Sequence, residues 1–162
     1  MKKPADQFGA LGSWKKIDEK FDETVIKQYS DASCVAAVGE MLAKHYGLNL
    51  SQTEILEAIG VWSNSKYLAN FLNSKEPRKD VEWIGGSWNN PIRALKWITK
   101  HERVRVVLLR DRNPRGHAVL VCGEDKDGLI MTKDPFDQTS YKMTAENLQD
   151  ILSEFVWRKK LK

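Results

Sequence analysis

Two cysteines in 162 residues are too few for a disulfide framework, and neither belongs to a Cys-x-x-Cys pair. The three histidines form no His-x-x-x-His pair, so a structural zinc has no ligand set and no cofactor is expected. No run of about eighteen apolar residues exists, which argues against a membrane-spanning helix and against a membrane partner. The Met-Lys-Lys start also lacks a secretory h-region, because Pro4-Ala5-Asp6-Gln7 stands where apolar residues are needed. The chain is therefore expected to use no export route of its own: it is cytoplasmic, or it is delivered as part of a larger protein. Internal repeats and low-complexity stretches are missing too.

What is present fits one soluble globular domain, with 41% hydrophobic and 30% charged residues to divide between core and surface. Residues 1–13 read as a leader or linker remnant and residues 14–162 as the domain. The net charge of +4 is spread along the chain, except where Arg158, Lys159, Lys160 and Lys162 cluster. A mildly basic surface suits RNA or an acidic partner in principle, but no stripe of aromatics accompanies the charge, so RNA is not favoured. The tail reads as a solvated end.

The spacing predicts a weakly amphipathic helix over 15–27, then a strong one over Ser33–Tyr46 with Val38, Met41, Leu42 and His45 at helical intervals. Ser51-Gln52-Thr53-Glu54 is a capping box that opens a short helix ended by Gly60. Tyr67, Leu68, Phe71 and Leu72 mark another, and Asn90-Pro91 opens one carrying Ile92, Leu95 and Ile98. Strands are expected at Val81–Ile84, Arg103–Arg110, His117–Cys122, Gly128–Lys133, Thr139–Met143 and Phe155–Arg158, with a Thr144-capped helix before the last. Helices first and antiparallel strands afterwards make an α+β fold, a helical N-terminal lobe on a C-terminal sheet.

Cys34 falls in the first turn of its helix, after Ser30, Asp31 and Ser33, any of which can serve as cap. Unpaired N–H groups and the positive helix end there stabilise a thiolate, the attacking form of a nucleophilic cysteine. A small buried hydrophobe on a helix reads the same way, so the partners must decide. His117 begins one strand and Asp134, just before Pro135, ends the next; adjacent antiparallel strands bring those two ends together as cross-strand neighbours. A base and its orienting carboxylate require that relation. Gln28, six residues before Cys34, can offer a side-chain N–H to an oxyanion beside a backbone N–H of the helix. Cys122, inside an apolar strand and on the opposite face from His117, reads as core. His45 and His101 read as structural or solvated, Trp97 and Trp157 as core. Trp62, Trp83 and Trp88 lie in or near loops, Trp88 being the best cleft candidate.

The pattern of Gln28, Cys34 and Ala37, then Met41-Leu42, Tyr46-Gly47, Gly116-His117-Ala118-Val119 and Asp134-Pro135, resembles the papain-like peptidase domains of bacteriocin-processing exporters. It is also similar to papain-fold toxin domains of polymorphic bacterial toxins, and Trp83-x-Gly85-Gly86 shares in the likeness. The resemblance spans residues 25–157. It implies Cys34 as nucleophile, His117 as base, Asp134 as orienting acid and Gln28 as oxyanion donor. Where exporter peptidases carry Asp-Cys-Gly, this chain has Ser33-Cys34-Val35. A delivered toxin or effector that hydrolyses an amide bond, as protease or glutamine deamidase, is the expectation, with a protein or peptide substrate and a cognate immunity protein as partners. The alternatives are a toxin nuclease using the same cleft on RNA, such as tRNA, and a non-catalytic interaction module.

Overall fold

The computed structural model describes residues 14–87, 104–109 and 116–161. The elements run β1 (Ile17–Phe21), α1 (Cys34–His45), α2 (Gln52–Ile59), α3 (Ser65–Lys75), β2 (Val81–Ser87), β3 (Arg105–Leu109), β4 (His117–Glu124), β5 (Ile130–Asp134), β6 (Thr139–Met143), α4 (Ala145–Ile151) and β7 (Leu152–Lys160). Seven strands form one sheet in the order β1-β6-β5-β4-β3-β7-β2, and every neighbouring pair is antiparallel.

Period-two alternation divides the sheet between two cores. On β4, Ala118 and Leu120 face a cluster that holds Val38 and Leu42 of α1, Ile55 of α2 and Leu68 and Leu72 of α3. Val119 and Val121 face the other cluster, with Leu148 and Ile151 of α4, Tyr141, Met143 and Trp14. Each such aliphatic, taken fully out of water, contributes about 1.5–3 kcal/mol. Helix signals in the sequence recur as cap geometry. Ser51 accepts a hydrogen bond from Glu54 N–H at 3.1 Å to open α2, and Thr144 accepts one from Asn147 N–H at 3.1 Å to open α4.

The helix expected over 15–27 is not there. Residues 17–21 instead pair as an edge strand with β6, with a register break at Asp18, whose φ is +55°. The open backbone edge of β6 outweighs a weak helical pattern. Trp83, expected in or near a loop, is buried within β2. It packs edge-on against Tyr46 at 5.4 Å and donates from Nε1 to Glu76 at 3.0 Å. His45, on the expected apolar stripe, is exposed in the last turn of α1. The Asn90-Pro91 helix, His101, Trp88 and Trp97 lie outside the described residues.

Gly85 shows how tightly the helical layer sits on the sheet. A Cβ there would lie 2.3 Å from the Ser65 carbonyl oxygen at the start of α3. Backbone cannot yield as a flexible side chain would, so Gly85→Ala should cost about 1–3 kcal/mol. Urea unfolding of the variant measures it; an unchanged midpoint would mean that α3 moves aside freely.

Candidate active site

Cys34 is the first residue of α1, buried between the loop before it and the sheet. Ser33 stands at the N-cap position, yet no side chain caps the helix. Its Oγ accepts from Ser30 N–H at 3.0 Å and donates to Ser30 O at 3.1 Å. The expected capping by Ser30, Asp31 or Ser33 is thereby corrected: the hydroxyl ties the loop to itself. The first-turn N–H groups of α1 are left to other acceptors, since the earliest backbone bond runs from Ala37 N–H to Ser33 O.

His117 reaches the site because β4 begins abruptly. Gly116 turns with φ +69°, and a Cβ there would fall 2.8 Å from Leu109 O, so only glycine fits the approach. Leu109 then pairs with His117 in the β3–β4 ladder. The β4–β5 ladder pairs Leu120 with Lys133 and Val121 with Thr132. Asp134 is therefore level with Val119 and meets His117 along the diagonal, two residues from the directly opposed position, as the cross-strand neighbour that the sequence suggests.

The imidazole Nε2 and Asp134 Oδ1 are 2.7 Å apart. Asp134 Oδ1 also accepts from Phe136 N–H at 3.0 Å, and Oδ2 accepts from the Tyr141 hydroxyl at 2.8 Å. Tyr141 in turn accepts from Trp14 Nε1–H at 3.3 Å. Trp14 lies parallel to the His117 ring, 6.2 Å away, and Phe136 closes edge-on at 6.4 Å. These walls leave His117 and Asp134 almost fully out of water. Burial alone would depress the imidazole; the Asp134 carboxylate beside it more than compensates, with a further contribution from neighbouring Cys34, and the group is raised from 6.5 to about 9. With Nε2 engaged by Asp134, Nδ1 is the nitrogen left for the thiol.

Gln28 is buried as well. Its backbone N–H donates to Pro135 O at 2.9 Å, and its Nε2 uses one hydrogen on Ser30 O at 2.7 Å. It thus joins the Asp134-Pro135 corner to the loop ahead of Cys34. The four residues singled out from sequence come together. Tyr141 and Trp14 were not singled out: each looks like ordinary core, and only the pairing of β6 with β5 brings the hydroxyl to Asp134.

Cys122 lies apart, half-buried and packed against the helical-face cluster, with its thiol pushed up to about 11 by burial. Two cavities of about 300 and 480 Å³ share Cys122 and Lys133 in their lining, and neither is lined by Cys34, His117 or Asp134. Among the described residues no helix is long and apolar enough to cross a membrane, and no cluster of His, Cys, Asp and Glu could hold a metal ion.

A buried thiol at a helix start, facing a strand-borne imidazole–carboxylate pair, is the architecture of papain-like cysteine peptidases, and the comparisons bear out that resemblance and the α+β fold. The chain superposes on the peptidase domain of Streptococcus ComA, a bi-functional ABC transporter of a quorum-sensing pathway, with TM-score 0.63 and 18% identity over 85% of this chain and 97% of that one. The peptidase domain of Streptococcus mutans ComA gives 0.54 and 14% over 84% and 98%. In sequence the chain is 30% identical over 143 residues, 88% of its length, to cysteine protease effector 1 of Escherichia coli O1:K1:H7. It spans 28% of that relative. No family model matches the chain.

Proposed function

We propose that the chain is the peptidase domain of a delivered bacterial effector, with Cys34 as nucleophile, His117 as base, Asp134 as orienting carboxylate and Gln28 as oxyanion donor. The observation that carries this reading is the buried 2.7 Å contact between His117 and Asp134, with Cys34 near enough to the ring to help raise it. A buried imidazole strongly shifted by a specific carboxylate partner is a pattern of functional sites.

In the proposed reaction Cys34 gives its proton to solvent beside the already protonated His117, and the thiolate attacks the substrate carbonyl carbon. The carbonyl electron pair moves onto oxygen, between Gln28 Nε2 and the uncapped first-turn N–H groups of α1. Collapse expels the amine, which leaves with the proton held by His117, and water then hydrolyses the Cys34 thioester. Tyr29, Val61 and Trp62 are exposed beside this loop, and Trp62 N–H is bonded to Ala32 O at 3.0 Å. Apolar surface at the mouth of the site suits an extended peptide. The similarity to an effector supports delivery into a target cell; a cognate immunity protein that covers the site is part of the same proposal.

The test is a bacterial lysate incubated with the purified chain and with the same chain alkylated at Cys34. A small set of new protein N-termini should appear only with the unmodified chain. Glutamine deamidation without cleavage, or discrete tRNA fragments in place of new termini, would reject the peptidase reading.

A further inference from the structure

Gln52 is a fully buried amide on the first turn of α2, outside the four residues already assigned. A buried amide must find partners for both its ends, and both of these partners flank Gln28. Gln52 Oε1 accepts from Tyr29 N–H at 2.9 Å, and Gln52 Nε2 donates to Lys27 O at 2.9 Å. The two peptide groups on either side of Gln28 are thus held by one side chain. Gln52 is itself fixed, because its backbone N–H donates to Glu40 Oε1 on α1, the helix that carries Cys34. From the opposite side Gln28 N–H is held by Pro135 O, next to Asp134.

Gln28 needs such support. Loop residues sample many backbone states, and fixing one costs about 1–2 kcal/mol of entropy. An oxyanion donor acts only when held ready at the place where charge develops. The Gln28 amide contributes little to its own placement: among the described residues its Oε1 has no hydrogen-bond partner, and Nε2 has Ser30 O alone. The clamp lies in the main chain on either side.

We infer that Gln52 is a positioning residue, whose side chain locks the backbone around Gln28 so that the Gln28 amide faces the oxygen of the tetrahedral intermediate. The inference rests on the oxyanion role proposed for Gln28.

The test compares two reactions of the same thiol. Acylation by p-nitrophenyl hippurate, an activated ester with no side chain beyond glycine, forms the Cys34 S–C bond, moves the carbonyl pair onto oxygen and then expels p-nitrophenolate. Alkylation by iodoacetamide displaces iodide from a saturated carbon and creates no oxyanion. In the full chain, Gln28→Ala should slow the p-nitrophenolate burst about a hundredfold, the low end for loss of one oxyanion donor, with alkylation unchanged. Gln52→Met, similar in length and without hydrogen bonds, should slow the burst about tenfold, again with alkylation unchanged. Gln52→Glu keeps the acceptor for Tyr29 N–H and loses the donor to Lys27 O, and should fall between Gln52→Met and the unmodified chain. Melting curves confirm that each variant is folded.

The outcomes separate cleanly. A burst unaffected by Gln28→Ala sinks the oxyanion reading, and the clamp with it. A burst slowed by Gln28→Ala but not by either Gln52 variant overturns the clamp alone. Parallel loss of acylation and alkylation in the Gln52 variants also overturns it, since Gln52 would then support the fold and not the oxyanion. No burst from the unmodified chain rejects Cys34 as nucleophile.

Discussion

Asp134→Asn should lower turnover by roughly a hundredfold to ten-thousandfold, towards the loss caused by Cys34→Ala. The oxygens of Asp134 accept from the imidazole, from Phe136 N–H and from the Tyr141 hydroxyl. Asparagine keeps the shape and removes the charge. Burial of His117 is then opposed only by the smaller contribution of Cys34, and burial favours the neutral ring. An amide N–H turned towards Nε2 would also favour the wrong tautomer. Groups that work as a unit lose most of their effect when any one of them fails, so the single losses should not add. The pH profile is the sharper readout. The alkaline limb set by His117, near pH 9 in the unmodified chain, should move below the ordinary 6.5 in Asp134→Asn. A profile that stays in place would mean that Asp134 orients nothing and only fills space.

Stability should fall as the solution becomes alkaline, and by a large step. In the folded chain His117 is raised to about 9 from 6.5, so the native state holds a proton that the unfolded chain has released. A group raised on folding adds stability that is complete below pH 6.5 and lost as pH climbs through 9. The shift corresponds to about 3 kcal/mol, a sizeable share of the 5–15 kcal/mol typical of a domain. Urea unfolding at pH 6, 7.5 and 9.5 tests this, with His117→Gln as the comparison in which the decline should flatten. Stability that holds level or rises over that window would falsify the account of a charged imidazole in the native state.

Much of this site is legible from the residues alone. Cys34 is readable because polar residues precede a long apolar-periodic segment, which dates the start of α1 to within a residue. His117 and Asp134 are readable because the ends of a hairpin must lie side by side, whatever the rest of the fold does. The diagonal offset is not readable, since it depends on where the β4–β5 ladder shifts register. Gln52 was legible only as the second letter of a capping box; the local pattern cannot say that its side chain turns inward and finds the loop at 27–29. Trp14 borders the segment read as leader and stands just before the helix expected over 15–27. Its neighbours became a strand because β6 offered them an open edge, a fact that resides some 120 residues further along the chain.

Sheet order has one more consequence. β7 is translated after every other described strand, yet it lies between β3 and β2. Until it arrives, the strand beneath α3 has nothing to join it to the strand beside His117. The thiol leaves the ribosome early and the frame that aims an imidazole at it is finished late. A half-made chain thus carries the sulfur before the sheet that holds the imidazole has its last described strand in place.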